Sequence, residues 1–426
     1  MVLVEDLRYL TELAEAVIEA ARVRPGEYVG KFGPNLTGHT LIRPGGGAGY
    51  PAFWIRDFAM SQGCGLIRQD EQLHALLLTA KHQSDHDWHT PSGSFVPKGA
   101  IPDHISFDGK PIFFPGTIDD YEGQGGKKWG YLPSLDDHFY FTEMAWQLVD
   151  QKHDITVLKT EVAGISLLDR LEMAFNVPPV EKEGIMVCCG EANRGVSFGF
   201  TDAIEHTGEL LFCSLLRCRA ALQLADLFRL DGNWEKYEKY SDLASLITEN
   251  IPRFFTHEYG LLKASTGKSA QPDVWGSAFA VYYGLLNPQS ADSLCRTLAR
   301  AVEQDTISWK GNIRHVPTDA DFNSTTAWES ALPKKNTYQN GAYWGTPVGW
   351  VAYAVARVNE ELASGLLKEY FQELREGDYR QGPDFGSPWE CMHSDGNYRQ
   401  NPIYMTSVTE PLAVLQRVGK IRGLSE

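Results

Sequence analysis

Apolar positions recur at spacings of three and four in twelve separate stretches of this chain, the spacing that lines one face of an α-helix. The stretches are 4–22, 53–68, 71–84, 135–150, 156–175, 205–229, 234–252, 271–285, 289–302, 343–357, 359–376 and 404–417. No alternating run is long enough for a central sheet, and short strands have room only in the longer connections.

The connections alternate in length. Long ones cover 23–52, 85–134, 176–204, 253–270, 303–342 and 377–403, while short ones lie around Gln69 and Asp70, at 151–155, 230–233 and 286–288, and at Val358. A succession of helical hairpins with this alternation brings every long connection to one end. Six such hairpins closing on themselves predict an all-α (α/α)6 toroid, a single domain over 1–426 with its long loops on one face. A helical solenoid would need a repeated sequence period, and none is present. The long connections also hold most of the Gly, Pro, Trp, His and Asp residues, so chemistry is expected on that face.

Composition narrows the function only in part. Of 426 residues, 55 are acidic and 39 basic, a net charge of −16 that supplies no general basic face for nucleic acid. Eleven Trp, 18 Tyr and 20 Phe are compatible with a protein that packs rings against the apolar faces of a small carbohydrate, and a large aromatic core is the plainer reading. Seven cysteines without a paired framework read as reduced thiols of a cytoplasmic protein. Residues 4–22 form an amphipathic helix and not a signal peptide, and no apolar run reaches the roughly 20 residues that cross a bilayer.

Five segments concentrate candidate chemistry. Trp54, Arg56 and Asp57 enter the second helical stretch, where a carboxylate is favoured by the helix dipole; an N-terminal capping Asp with a partner Arg is the alternative. Ser134 and Asp137 open the fourth stretch in a capping arrangement, with Asp136 or Asp137 also able to face a pocket. Asp202, Glu205, His206 and Glu209 stand at helical spacings, so they can share one face, with Phe198, Phe200 and Phe212 beside them. Tyr338, Gln339, Asn340, Tyr343 and Trp344 combine amides and rings, as a sugar-binding wall requires. Trp389 and Glu390 lie in the last long connection, where no helical partner accounts for the carboxylate. His82, His86 and His89 could converge on a helix as zinc ligands do, but Asp85 and Asp87 among them favour a solvated or substrate-lining loop. No metal or other cofactor is expected. Gly45-Gly-Gly-Ala-Gly49 has neither the strand nor the Lys and Ser/Thr of a phosphate loop.

Taken in order, Phe53-Trp-Ile-Arg-Asp57, Phe200-Thr-Asp202 with Gly208, Tyr338-Gln-Asn-Gly-Ala-Tyr-Trp344, and Trp389-Glu390 with Gly396 and Tyr404 resemble the six-hairpin glycosidases, the group that contains trehalase, glucoamylase and the processing α-glucosidases. The resemblance runs from about residue 50 to residue 417. It implies inverting hydrolysis of an α-linked disaccharide or oligosaccharide, with Asp202 as general acid and Glu390 as general base. It also implies sugar contacts from Arg56 and Asp57 and a wall at Asn340, Gly341 and Trp344. Thr201 stands where the trehalase-like members carry Trp, and glucoamylases use a Glu acid, so Glu205 and Glu209 remain rivals to Asp202.

Inversion needs a protonated and an ionised carboxyl roughly 6.5 to 9.5 Å apart. The rings around Asp202 should raise its pKa, and the polar loop around Glu390 should keep that group wetter and ionised. Two other chemistries use the same barrel: an unsaturated uronyl hydrolase drawing on Arg56, Arg194 and Arg399, or an epimerase with His206 and His393 as acid and base. A non-catalytic carbohydrate-binding protein is the third reading.

Overall fold

The computed structural model describes residues 4–90, 93–113 and 131–421, so part of the connection at 85–134 lies outside the described residues. Twelve α-helices stand among the described residues, one in each expected stretch. In six consecutive pairs they are α1 (Val4–Ala21) and α2 (Ile55–Gln62), α3 (Gln69–Lys81) and α4 (Asp137–Lys152), α5 (Leu167–Phe175) and α6 (Leu211–Asp231), α7 (Trp234–Phe255) and α8 (Val274–Tyr282), α9 (Pro288–Glu303) and α10 (Val348–Ala356), and α11 (Glu360–Gly377) and α12 (Thr406–Ile421).

Burial sorts the helices into two layers. Every residue of α2 is buried, as is nearly every residue of α8, so these helices are surrounded by protein. By contrast, α7 buries Tyr240, Ala244, Ile247, Ile251 and Phe255, a stripe at spacings of three and four, and leaves its other side exposed. The even-numbered helices pack in succession, α2 on α4, α4 on α6, α6 on α8, α8 on α10 and α10 on α12, and α12 in turn packs on α2. Among the described residues, no helix is long and apolar enough to cross a membrane.

Asn233, Asn287 and Asn359, on short connections, cap α7, α9 and α11 by accepting from backbone amides. Of the helices that start from long connections, α2, α4, α6 and α10 have no side-chain cap, whereas Asp273 caps α8 by accepting from the Gly276 amide. Ser134 accordingly does not cap α4; its hydroxyl donates to Asp103 instead.

The helices α5, α6, α8 and α10 begin three or more residues later than the apolar periodicity predicts. The residues ahead of α2, α6 and α10 are extended and paired across the loops, and a 3-10 turn (Ile155–Lys159) and a hairpin precede α5. A short buried apolar run has the same composition in either conformation, so periodicity cannot separate them. One such assembly joins β1 (Ala52–Trp54), β2 (His104–Ser106) and β3 (Pro111–Ile112) in an antiparallel sheet. A second, five-stranded antiparallel sheet runs in the order β4 (Ser308–Trp309), β5 (Asn312–Arg314), β6 (Tyr343–Trp344), β7 (Trp389–Met392) and β8 (Arg399–Pro402). All of these strands are built from the long connections.

Candidate active site

A cavity of about 650 Å³ opens where five of the six long connections meet. β1 leads directly into α2, which places Trp54 on the cavity wall and buries Arg56 and Asp57 in the first turn. Arg56 is not the partner of Asp57. Its Nη2 donates to Asp103 Oδ1 at 2.6 Å and to Asp137 Oδ2 at 2.9 Å, and its Nε donates to Asp136 Oδ2 at 2.9 Å. Gly199 completes this cluster by donating its amide to Asp136 Oδ2 at 2.8 Å, and any side chain there would overlap the Arg56 guanidinium. Burial works against an ionised Asp103, but Arg56 and His104 hold it well below the usual carboxylate range. Asp137 is driven the other way, first by burial and then by the charges of Asp136 and Asp103, despite Arg56.

Beside this cluster, the rings of Trp54 and His104 stack with centroids 4.3 Å apart, and His104 Nδ1 sits 2.7 Å from Asp103 Oδ2. Asp57 accepts from the Tyr404 hydroxyl at 2.7 Å. Burial raises Asp57 to about 6, with Arg56 and the Tyr404 bond opposing it.

Asp202 follows a 3-10 turn (Gly199–Thr201) and is open to the cavity. Gln339 Nε2 donates to Asp202 Oδ1 at 2.6 Å and also reaches the Gly199 carbonyl at 3.1 Å. Burial lifts Asp202 to about 7 although the Gln339 bond favours the anion. Glu390, on β7, is 1% exposed. Tyr50 donates its hydroxyl to Glu390 Oε1 at 2.6 Å, and Asn401 Nδ2 donates to Oε2 at 2.6 Å. Glu390 is nevertheless raised to about 8, chiefly by burial, with Asp57 and Asp202 adding to the rise. The expected contrast between a buried acid and a wet base therefore fails. The polar loop folds back as the β7–β8 pair and encloses Glu390, and sequence polarity gave no sign of that burial.

Trp54, Arg56, Asp57, Asp202, Tyr338 and Glu390 line the cavity together. Several other expected contacts do not. Asp137 is spent on Arg56, and Gln339 stands behind Asp202 as its donor. Asn340 ties loop backbone together, accepting from the Ala327 amide and donating to the Pro333 carbonyl. Trp344 is fully buried against Phe200, Trp275 and Tyr338, and Trp389 is covered by Arg399. Because α6 starts only at Leu211, the helical spacing assumed for residues 202–209 does not exist. Glu205 is buried against Arg194, Lys268 and Ser330, His206 against the Trp328 ring, and Glu209 accepts from Thr266. α3 ends at Lys81, so His82, His86 and His89 have no common helix face. Among the described residues, no group of three or more His, Cys, Asp or Glu is arranged to hold a metal ion.

The reading from sequence alone missed Tyr50, Asp103, His104, Gln400 and Asn401, all of which line the cavity. Tyr50 adjoins a motif already marked. Asp103 and His104 lie in a long connection with no periodicity to single them out.

No protein-family model and no curated protein matches this sequence. Solved structures do match. A rhamnosidase from Klebsiella oxytoca with rhamnose bound superposes with a TM-score of 0.60 at 11% identity, covering 98% of this chain and 65% of that one. This chain shares the fold of the six-hairpin glycosidases. A glucoamylase from Saccharomycopsis fibuligera gives 0.58 at 12% identity over 98% of this chain and 96% of its own. A glycoside hydrolase family 15 glucoamylase from Hypocrea jecorina gives 0.60 at 14%, covering 98% and 72%. The six-hairpin fold thus spans nearly the whole chain, which itself spans just under two thirds of the rhamnosidase.

Proposed function

We propose that this protein is an inverting glycoside hydrolase built as one (α/α)6 toroid, acting on a neutral α-linked disaccharide or oligosaccharide. Asp202 is the general acid and Glu390 the general base. The observation that carries this reading is the difference in hydrogen bonding between the two carboxyls. Both oxygens of Glu390 accept from protein donors, an arrangement suited to an anion that orients a water. Asp202 is held at Oδ1 alone, so among the described residues Oδ2 has no protein donor and can carry a proton toward the cavity. Proton transfer to the glycosidic oxygen from Asp202 and removal of a proton from water by Glu390 would complete hydrolysis with inversion.

On the sugar side, Trp54 and His104 offer a fixed ring stack, and Asp57, Asp103 and Tyr404 offer hydroxyl partners. A uronate substrate is disfavoured. Among the described residues, Arg56 is the one cation lining the cavity, and three carboxylates already engage it. Arg194 is paired with Glu205, and Arg399 is exposed over Trp389. An epimerase pair is disfavoured as well, since neither His206 nor His393 lines the cavity.

The test is proton NMR of the first-formed product anomer across a panel of neutral α-glucosides and α-rhamnosides, with an unsaturated uronide alongside. Inverted product, abolished by D202N and by E390Q with sugar binding retained, is expected. Activity near wild type in either variant would remove that residue from the mechanism, and turnover of the uronide alone would replace the substrate class.

A further inference from the structure

The glycine-rich run Gly45–Gly49, which lacks the sequence marks of a phosphate loop, lies against the strand that faces Glu390. Gly46 donates its amide to the Ile403 carbonyl at 3.0 Å, and Met405 donates to the Pro44 carbonyl at 2.8 Å. Arg43 grips the run from the other side, with Nη1 on the Gly47 carbonyl at 2.8 Å and Nη2 on the Gly46 carbonyl at 2.9 Å. Side chains would have no room there. A Cβ on Gly45 would lie 3.0 Å from the Ile403 oxygen, one on Gly47 would lie 3.0 Å from the Pro402 oxygen, and one on Gly49 would overlap the Asn401 side chain.

The strand beneath is itself unusual. β7 and β8 pair Trp389 with Pro402 and Cys391 with Gln400, which leaves Glu390 and Asn401 opposite each other. Residues opposite each other in an antiparallel pair project to the same face, and Asn401 uses that placement to donate to Glu390 Oε2. Asn401 has φ of 42° and Ile403 has φ of 61°, a left-handed conformation that Asn tolerates and a β-branched residue adopts only under strain. The bonds and packing of the glycine run lie directly over these residues.

We infer that Asn401 is a positioning residue for Glu390, and that the glycine run Gly45–Gly49 is the backbone strap that keeps Asn401 in place. Together with Tyr50, the next residue after the strap, Asn401 grips Glu390 at both oxygens and fixes the carboxylate plane. The inference rests on Glu390 being the general base. It assigns a role to a remote residue, eleven positions along the chain, and to a glycine with no side chain of its own.

Two variants isolate the effect. N401G keeps the left-handed backbone permissible and removes only the amide. G49A adds one methyl at an exposed position where φ is not left-handed, so its effect must pass through Asn401. The Glu390 carboxyl would be followed by carbon-13 NMR of protein labelled at the glutamate side-chain carboxyl, the signal assigned by its loss in E390Q. Loss of a donor to the anion should move the Glu390 titration upward by about half a pH unit or more in N401G. G49A should move it in the same direction, and the double variant should move it no further than N401G alone. On any α-glycoside that wild type turns over, kcat should fall about tenfold with KM nearly unchanged. An unmoved Glu390 titration in N401G, or additive shifts in the double variant, would overturn the inference while leaving the hydrolase reading intact. Retained activity in E390Q would remove the base and overturn both.

Discussion

Gln339 holds Asp202 from behind, donating to its Oδ1 at 2.6 Å while accepting from the neighbouring Ala203 amide at 2.7 Å. One amide side chain thus sets both the direction of the carboxyl and the path of the backbone that carries it. In Gln339→Ala the anion of Asp202 loses the only protein donor it has among the described residues, so its pKa rises above about 7. The kcat/KM profile should move to higher pH and kcat should drop about tenfold. An unchanged pH profile with a raised KM would instead place Gln339 on the substrate.

The two carboxyls predict a narrow pH dependence. In the proposed roles turnover needs Asp202 protonated and Glu390 ionised, yet burial sets Asp202 at about 7 and Glu390 at about 8. The working form therefore carries its proton on the group with the lower pKa. Its population peaks between the two values and declines on either side. A bell-shaped kcat/KM profile with limbs near those values is expected; a plateau extending down to pH 5 would contradict it.

Asp202 also costs stability when it ionises. Its folded pKa lies above the unfolded value, so the folded state binds the proton more tightly, and stability falls as pH climbs from about 4 to about 7. D202N removes that loss. Its melting temperature should exceed that of wild type by more at pH 8 than at pH 5, and an equal difference at both pH values would argue against a buried, ionising Asp202.

Arg56 donates to Asp103, Asp136 and Asp137 at once. Arg56→Met leaves buried carboxylates unpaired, which should destabilise the protein by about 3–5 kcal/mol. Chemical denaturation would read this directly. A loss below about 1 kcal/mol would mean that the cluster protonates or hydrates freely on losing its cation.

The twelve helices were legible because an amphipathic stripe repeats every three or four residues whatever its neighbours do. Their starting points were not, since Ala52–Trp54 and Tyr343–Trp344 are apolar runs that sheet pairing holds extended. Trp54, Asp57, Asp202 and Glu390 could be singled out because each stands among glycines and rings at the end of a long connection. Glu205 and His206 were grouped with Asp202 only through a helix register that begins at Leu211 and never reaches them. Asn401 was out of reach, since its partnership with Glu390 comes from strand pairing alone.

Three carboxyls of the cavity each borrow a donor from a distant part of the chain: Asp57 from Tyr404, Asp202 from Gln339 and Glu390 from Tyr50. During synthesis, then, a ribosome-bound chain has every earlier helix available before Tyr404 emerges, yet still lacks the hydroxyl that completes its first motif. Under the proposed function, activity would be a late event in the protein's own assembly, reporting that these two distant segments have met.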